Sequence, residues 1–223
     1  MNPRVVLLHA LPLDPRLWEP QLSVFPHALT PRLYDLPGRT MDAWATGLLE
    51  AVEGRLVLVG ASMGGYLGLA AARRAPERVA GLVLLGSRAE ADTPERRAVR
   101  AGQLRLLEEG GSQGLWDAMG EQLFGPETDV ALIDRARAIA LEQPPEDLAR
   151  AVQALRDRLD GTEILAELDE RALVVLGEHD RFFAVDEVDA PHRVVLPGCG
   201  HLPGLERPDL ANPVLEEAVA RWT

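Results

Sequence analysis

Cysteine is almost absent: Cys199 is the only one in 223 residues. No intrachain disulfide can form, and no paired Cys or His spacing of a structural zinc site is present, so a reducing, cytoplasmic setting is the expectation. Long apolar runs are missing as well. The stretch from Val5 to Leu8 falls far short of the roughly 20 residues that span a bilayer, and it leads into His9 and a proline-rich turn rather than a signal-peptide pattern. No membrane partner is expected. Basic residues are the minority charge, 23 Lys+Arg against 35 Asp+Glu, a net charge of -12. Such a surface repels phosphate backbones and anionic lipid, which argues against nucleic acid as a partner. There is no internal repeat.

What remains is the composition of a packed domain, 47% hydrophobic and 26% charged, at a length suited to one domain carrying a modest insertion. Arg4 to Leu8, Leu56 to Gly60, Leu82 to Leu85, Ala172 to Leu176 and Arg193 to Leu196 are short runs rich in Val and Leu with little alternation, as strands covered on both faces require. Helix-like stretches, Asp42 to Val52 and Tyr66 to Ala75, lie between them. The order predicts an α/β fold built on a doubly wound, mostly parallel sheet. From about residue 88 to 170 the strand signals stop. Leu148, Val152, Leu155 and Leu159 form one helical stripe and Leu115, Trp116, Met119 and Leu123 another, while Thr93-Pro94, Gly110-Gly111, Gly125-Pro126 and Pro144-Pro145 punctuate them. About four short helices inserted there would cap the carboxyl edge of the sheet, where such folds place ligands. The expected division is a core of residues 1–87 and 171–223 with a cap at 88–170.

The chemical signal is Gly60-Ala61-Ser62-Met63-Gly64, directly after a strand and before a helix. A serine at so tight a turn is strained outward above the sheet and needs glycine-sized neighbours. The Met63 amide then opens the helix, aimed at a developing negative charge. A Walker-type phosphate loop would end in Gly-Lys-Ser/Thr, which this turn lacks. A serine nucleophile needs a base and the base needs a carboxylate. His201 follows the last strand within Gly200-His201-Leu202-Pro203, and Asp180 follows the fourth within Gly177-Glu178-His179-Asp180. Glu178 and His179 compete with Asp180 and invite a metal-ligand reading, but adjacent residues leaving a strand point in different directions. The second oxyanion amide is expected from Leu11, in the loop after the first strand. His9 reads as a structural member of that loop, and Cys199 as a small buried hydrophobe.

Together these residues resemble the α/β-hydrolase family, through Leu7-Leu8-His9-Ala10-Leu11-Pro12 with Trp18, Asp35-Leu36-Pro37-Gly38, the Gly60 to Gly65 turn, Gly177 to Asp180, and Gly200 to Pro203 with Glu206 and Pro208. Within it, the compact chain is similar to small esterases and 3-oxoadipate enol-lactonases. The resemblance implies a serine hydrolase that cleaves a small carboxylic ester or lactone through an acyl-enzyme, with Ser62, Asp180 and His201 as a triad and no metal or organic cofactor. Acyl transfer, thioester or carbon-carbon cleavage, or ligand binding without turnover are the alternatives on the same fold, and homo-oligomer formation is left open. Leu115, Trp116, Met119 and Phe124 are candidate substrate contacts, and Arg88, Arg96 or Arg97 candidate partners for an anionic substrate. Several departures stand out: a sheet of about six strands, Ala10 where glycine is common, Arg39-Thr40 in a shortened Gly-x-Gly position, and a helix between Asp180 and His201 reduced to a turn or two.

Overall fold

A computed structural model describes residues 2–223. Strand β1 (Arg4–Leu8) is followed by helix α1 (Met41–Ala51), β2 (Leu56–Ala61), α2 (Met63–Arg74) and β3 (Val79–Leu85). Four helices come next, α3 (Pro94–Met119), α4 (Val130–Leu141), α5 (Pro145–Arg156) and α6 (Thr162–Leu168); β4 (Ala172–Gly177), β5 (Arg193–Leu196), the single turn α7 (Pro203–Glu206) and α8 (Pro208–Trp222) complete the chain. All four strand pairings are parallel, and the spatial order is β1-β2-β3-β4-β5. β2 and β3 are buried along their whole length, which explains their unbroken Val and Leu runs.

The sheet has five strands rather than about six. The sixth place is held by one residue: Leu29 forms an isolated parallel bridge to Val6, donating its amide to Val5 O at 2.9 Å and accepting from Leu7 N at 2.8 Å. His27 precedes it and Thr30-Pro31 follows, so no run of β-formers was available to extend or reveal it. The chain therefore leaves β1 for the outer edge and returns through α1 to β2 on the other side of β1. That reversal opens a crevice beyond the carboxyl ends of β1 and β2, where open α/β sheets bind ligands.

Helices cover both faces. Gly68 of α2 lies against Leu82, and the preceding residue of β3, Gly81, lies against the Trp222 indole of α8, with a Cβ at Gly81 falling 2.1 Å from it. Four helices fill the long β3–β4 connection, as expected, but the first spans 26 residues and is bent at Gly111, whose φ of 60° and ψ of -152° interrupt it. Leu148, Val152 and Leu155 are buried on α5, whereas Leu159 lies beyond the helix end and is 56% exposed. The stripe ran one residue too far because the periodicity carried past the stop at Asp157.

The loop after β1 is fastened by a buried histidine. His9 Nε2 accepts the Leu33 amide at 2.9 Å, its Nδ1 lies 3.2 Å from Ala10 O, and its ring stands edge-on to Tyr34 at 4.9 Å. Accepting at Nε2 leaves the proton on Nδ1, so the ring is neutral, and burial holds its pKa at about 4.

Gly81→Ala should destabilise by about 1–3 kcal/mol through overpacking, and Trp222→Leu in the same chain should recover part of that loss in a double-mutant cycle of urea midpoints. Additive losses would mean that the indole is not the obstacle. The His9 interaction is fully stabilising above pH 6.5; as pH falls towards 4 the unfolded chain gains a proton that the folded one refuses, costing up to about 3 kcal/mol. His9→Gln, which keeps an acceptor for Leu33 N, should flatten the difference in urea midpoint between pH 7 and pH 4.5 relative to the unsubstituted chain.

Candidate active site

The turn after β2 forces Ser62 into a φ of 46° and ψ of -106°, a strained conformation for a residue with a side chain. Two hydrogen bonds hold it there: the Ser62 amide donates to Leu85 O at 2.8 Å, and Ser87 Oγ donates to Ser62 O at 3.0 Å. Glycine is required alongside. A Cβ at Gly60 would meet the Gly64 carbonyl carbon at 2.3 Å, and one at Gly64 would meet Leu8 O at 2.1 Å. The helix α2 can thus begin hard against β1, with Ser62 at its N-cap.

Ser62 Oγ lies 2.8 Å from His201 Nε2, and His201 Nδ1 lies 2.7 Å from Asp180 Oδ2. These three residues, named from separate strand ends, form one hydrogen-bonded line. The Asp180 side chain is 1% exposed and that of His201 5%. Asp180 Oδ1 also accepts the Phe182 amide at 2.8 Å, which fixes the carboxylate. Phe182 and Phe183 pack on the imidazole, with ring centroids 4.4 and 5.7 Å away.

The loop bearing His201 is gathered by Glu206, whose role the sequence left unread beyond its place in a motif. Its two carboxylate oxygens accept the amides of Gly125, Gly200 and Leu202 and the Thr128 hydroxyl at 2.6–3.0 Å. The His201 amide donates to Leu123 O at 3.0 Å. A five-residue spacing from histidine to glutamate gives no local hint of this, because two of the four donors come from the distant segment after α3.

The amides of Leu11 and Met63 donate to no acceptor among the described residues. Met63 opens α2, and Leu11 lines the same narrow crevice as Ser62 and His201. Neither amide is therefore committed to an acceptor of its own chain. Of the four candidate substrate contacts, Met119 lines the crevice, while Leu115, Trp116 and Phe124 do not. Those three are packed inward; Trp116 covers Gly120 and stands 6.5 Å from Phe124. The helical stripe that holds Leu115, Trp116 and Met119 marks burial and does not tell core from cavity. Tyr66, Leu155, Phe182, Phe183, Arg96 and Arg100 complete the wall. Arg88 is engaged by Glu90 at 2.9 Å and Arg97 is exposed outside the crevice, so only Arg96 of the three reaches it.

Neighbouring groups have other roles. Glu178 and His179 are about half exposed, and no group of three or more His, Cys, Asp or Glu is placed to hold a metal ion among the described residues. Cys199 is buried, and burial raises its thiol to about 11. No described helix is long and apolar enough to cross a membrane. A groove of about 770 Å³ lies at the opposite end of β4 and β5, between His192 and Trp222, and holds no nucleophile and base pair.

The profile of the alpha/beta hydrolase family matches residues 5–213. A pimeloyl-[acyl-carrier protein] methyl ester esterase from Aromatoleum aromaticum is 38% identical over 94 residues, only 39% of this chain and 38% of the relative. Another from Methylococcus capsulatus is 29% identical over 214 residues, covering 86% of this chain and 82% of the relative. Among solved structures, a thermophilic esterase from Thermogutta terrifontis in a malate-bound form superimposes with a TM-score of 0.89 at 29% identity, covering 100% of this chain and 92% of its own. An enol-lactonase from Burkholderia xenovorans LB400 has a TM-score of 0.82 at 22% identity, with 99% and 92% coverage, a likeness of fold. With the profile spanning nearly the whole sequence and the strand-end geometry in place, the chain belongs to the α/β hydrolase family.

Proposed function

We propose that this chain hydrolyses a small carboxylic ester, lactones included, through an acyl-enzyme on Ser62. The observation that carries the reading is the continuous line from Asp180 to His201 to Ser62, at 2.7 and 2.8 Å. His201 Nε2 accepts the Ser62 proton as Oγ bonds to the ester carbonyl carbon. The negative charge then forming on the carbonyl oxygen is met by the Leu11 and Met63 amides, reinforced by the N-terminus of α2. Asp180 holds the Nδ1 proton and stabilises the imidazolium. As the carbon–oxygen bond breaks, His201 returns the proton to the leaving alcohol oxygen. A water molecule then gives its proton to His201, attacks the acyl carbon, and frees the acid and Ser62.

Helices α3 to α6, within residues 88–170, serve as a cap in this reading, with Arg96, Arg100, Met119 and Leu155 supplying the wall that faces Ser62. The relatives from Aromatoleum aromaticum and Methylococcus capsulatus are methyl ester esterases, which makes a methyl ester a suitable first substrate. Ser62→Ala should lower kcat by on the order of 10^4-fold or more, and Asp180→Asn by about 10^4-fold by upsetting the imidazole proton. A fluorophosphonate should add one label, detected by intact mass, to the unsubstituted chain and none to folded Ser62→Ala. Unlabelled but folded starting protein would count against an activated serine.

A further inference from the structure

The charge around the crevice runs against that of the molecule. Carboxylates outnumber cations in the whole chain, 35 to 23. Beside the Ser62 crevice lies a cavity of about 360 Å³, which shares Arg96, Arg100, Met119 and Phe182 with it and adds Arg181. No carboxylate lines either space. Asp180, the nearest by role, is closed off behind His201.

The ion pairs leave part of this charge unanswered. Asp92, with its side chain fully buried, meets two guanidiniums: Arg100 Nε at 3.1 Å and Arg158 Nη1 at 2.7 Å. The second is an ion contact without hydrogen-bond alignment, since Asp92 Oδ1 and Arg158 Nε both lack a hydrogen-bond partner. One carboxylate therefore stands against two cations. Arg158 is further spent on the Tyr66 ring, 4.0 Å away. Arg96 has no carboxylate partner among the described residues; one of its nitrogens donates to Phe182 O at 3.0 Å, and its guanidinium stands 6.0 Å over the Phe183 ring. Arg181 is exposed and forms no ion pair among the described residues. Arg96 and Arg100, one turn apart on α3, thus turn fixed positive charge onto a half-enclosed, largely apolar space that opens beside the nucleophile.

We propose that the ester cleaved at Ser62 carries an anionic oxygen group, a carboxylate or phosphate, that seats in the cavity between Arg96, Arg100 and Arg181. The proposal rests on the esterase reading above and names its substrate class. The chain contains no lysine, so each of these cations is a planar guanidinium able to fork onto two oxygens. The apolar side chains of Val99, Leu106 and Met119 provide contact for a short methylene spacer.

The test compares kcat/KM for monomethyl glutarate, 4-acetoxybutanoate and 3-acetoxypropyl phosphate with neutral methyl valerate and butyl acetate. At least one anionic ester should exceed its neutral counterpart by tenfold or more, and the favoured one identifies the charged half and the kind of anion. Loss of one charge-assisted contact in Arg96→Gln should lower the anionic-to-neutral ratio roughly 10- to 100-fold. Arg97→Gln, an exposed neighbour outside both spaces, should leave the ratio unchanged. Equal rates for anionic and neutral esters, or a ratio untouched by Arg96→Gln, overturn the proposal. If no ester turns over, the esterase reading fails separately. An NMR titration of Ser62→Ala with monomethyl glutarate and methyl valerate then decides the anion site alone, equal affinities being the overturning result.

Discussion

The backbone of Ser62 is the constraint on which the rest of the molecule depends. Its φ of 46° and ψ of -106° place it where an L-residue pays about 1–3 kcal/mol, a cost borne only if the surroundings hold it. The parallel register of β2 against β3 brings Leu85 O to the Ser62 amide, and the side chain of Ser87 takes the Ser62 carbonyl. Relief by sliding α2 away is blocked on the other side, where Gly64 packs on Leu8 of β1. Three adjacent strands thus fix one hydroxyl, and every other part of the site is aimed at a point already determined.

Two further carboxylates complete that aim by different means. Asp180 acts at the imidazole itself, and a buried, hydrogen-bonded anion there favours one ring orientation. Glu206 works on the backbone, tying four donors from two separate segments to a single side chain. Charge-assisted bonds of this kind are stronger than neutral ones, so the His201 loop can be rigid although it lacks regular structure. The acidic composition is then divided by place: carboxylates are spent on positioning behind the imidazole, while guanidiniums face the space in front of it.

The sequence made the core of the site legible because each part left a local signature. A serine between glycines at a strand end, an aspartate past the next strand but one, and a histidine in a glycine-rich turn are all fixed by backbone demands that restrict residue choice within a few positions. The five strands were legible for the same reason, as unbroken apolar runs. What stayed hidden depends on contacts between distant segments. Leu29 holds the outer edge of the sheet with one bridge and no strand-like neighbours. Leu115 and Trp116 share a helical stripe with Met119, yet of these only Met119 reaches the crevice, because a hydrophobic period reports which side is inward and not what lies there. Glu206 gave no sign of its donors, two of which sit about 80 positions earlier.

The shortened connection between β4 and β5 has a chemical consequence. With only a turn at Val185–Glu187 between these strands, the chain leaves Asp180 and immediately sets Phe182 and Phe183 against the imidazole. A full helix in that connection would lead the chain away from the sheet edge; here the two aromatic rings take the place of solvent beside His201. Excluding water lowers the local dielectric in which the hydrogen bond between His201 and Asp180 is made. The same Phe182 contributes its carbonyl to Arg96, so the segment that packs on His201 also holds the Arg96 guanidinium. One short loop thus joins the setting of His201 to that of Arg96, and a change in its length would be felt by both.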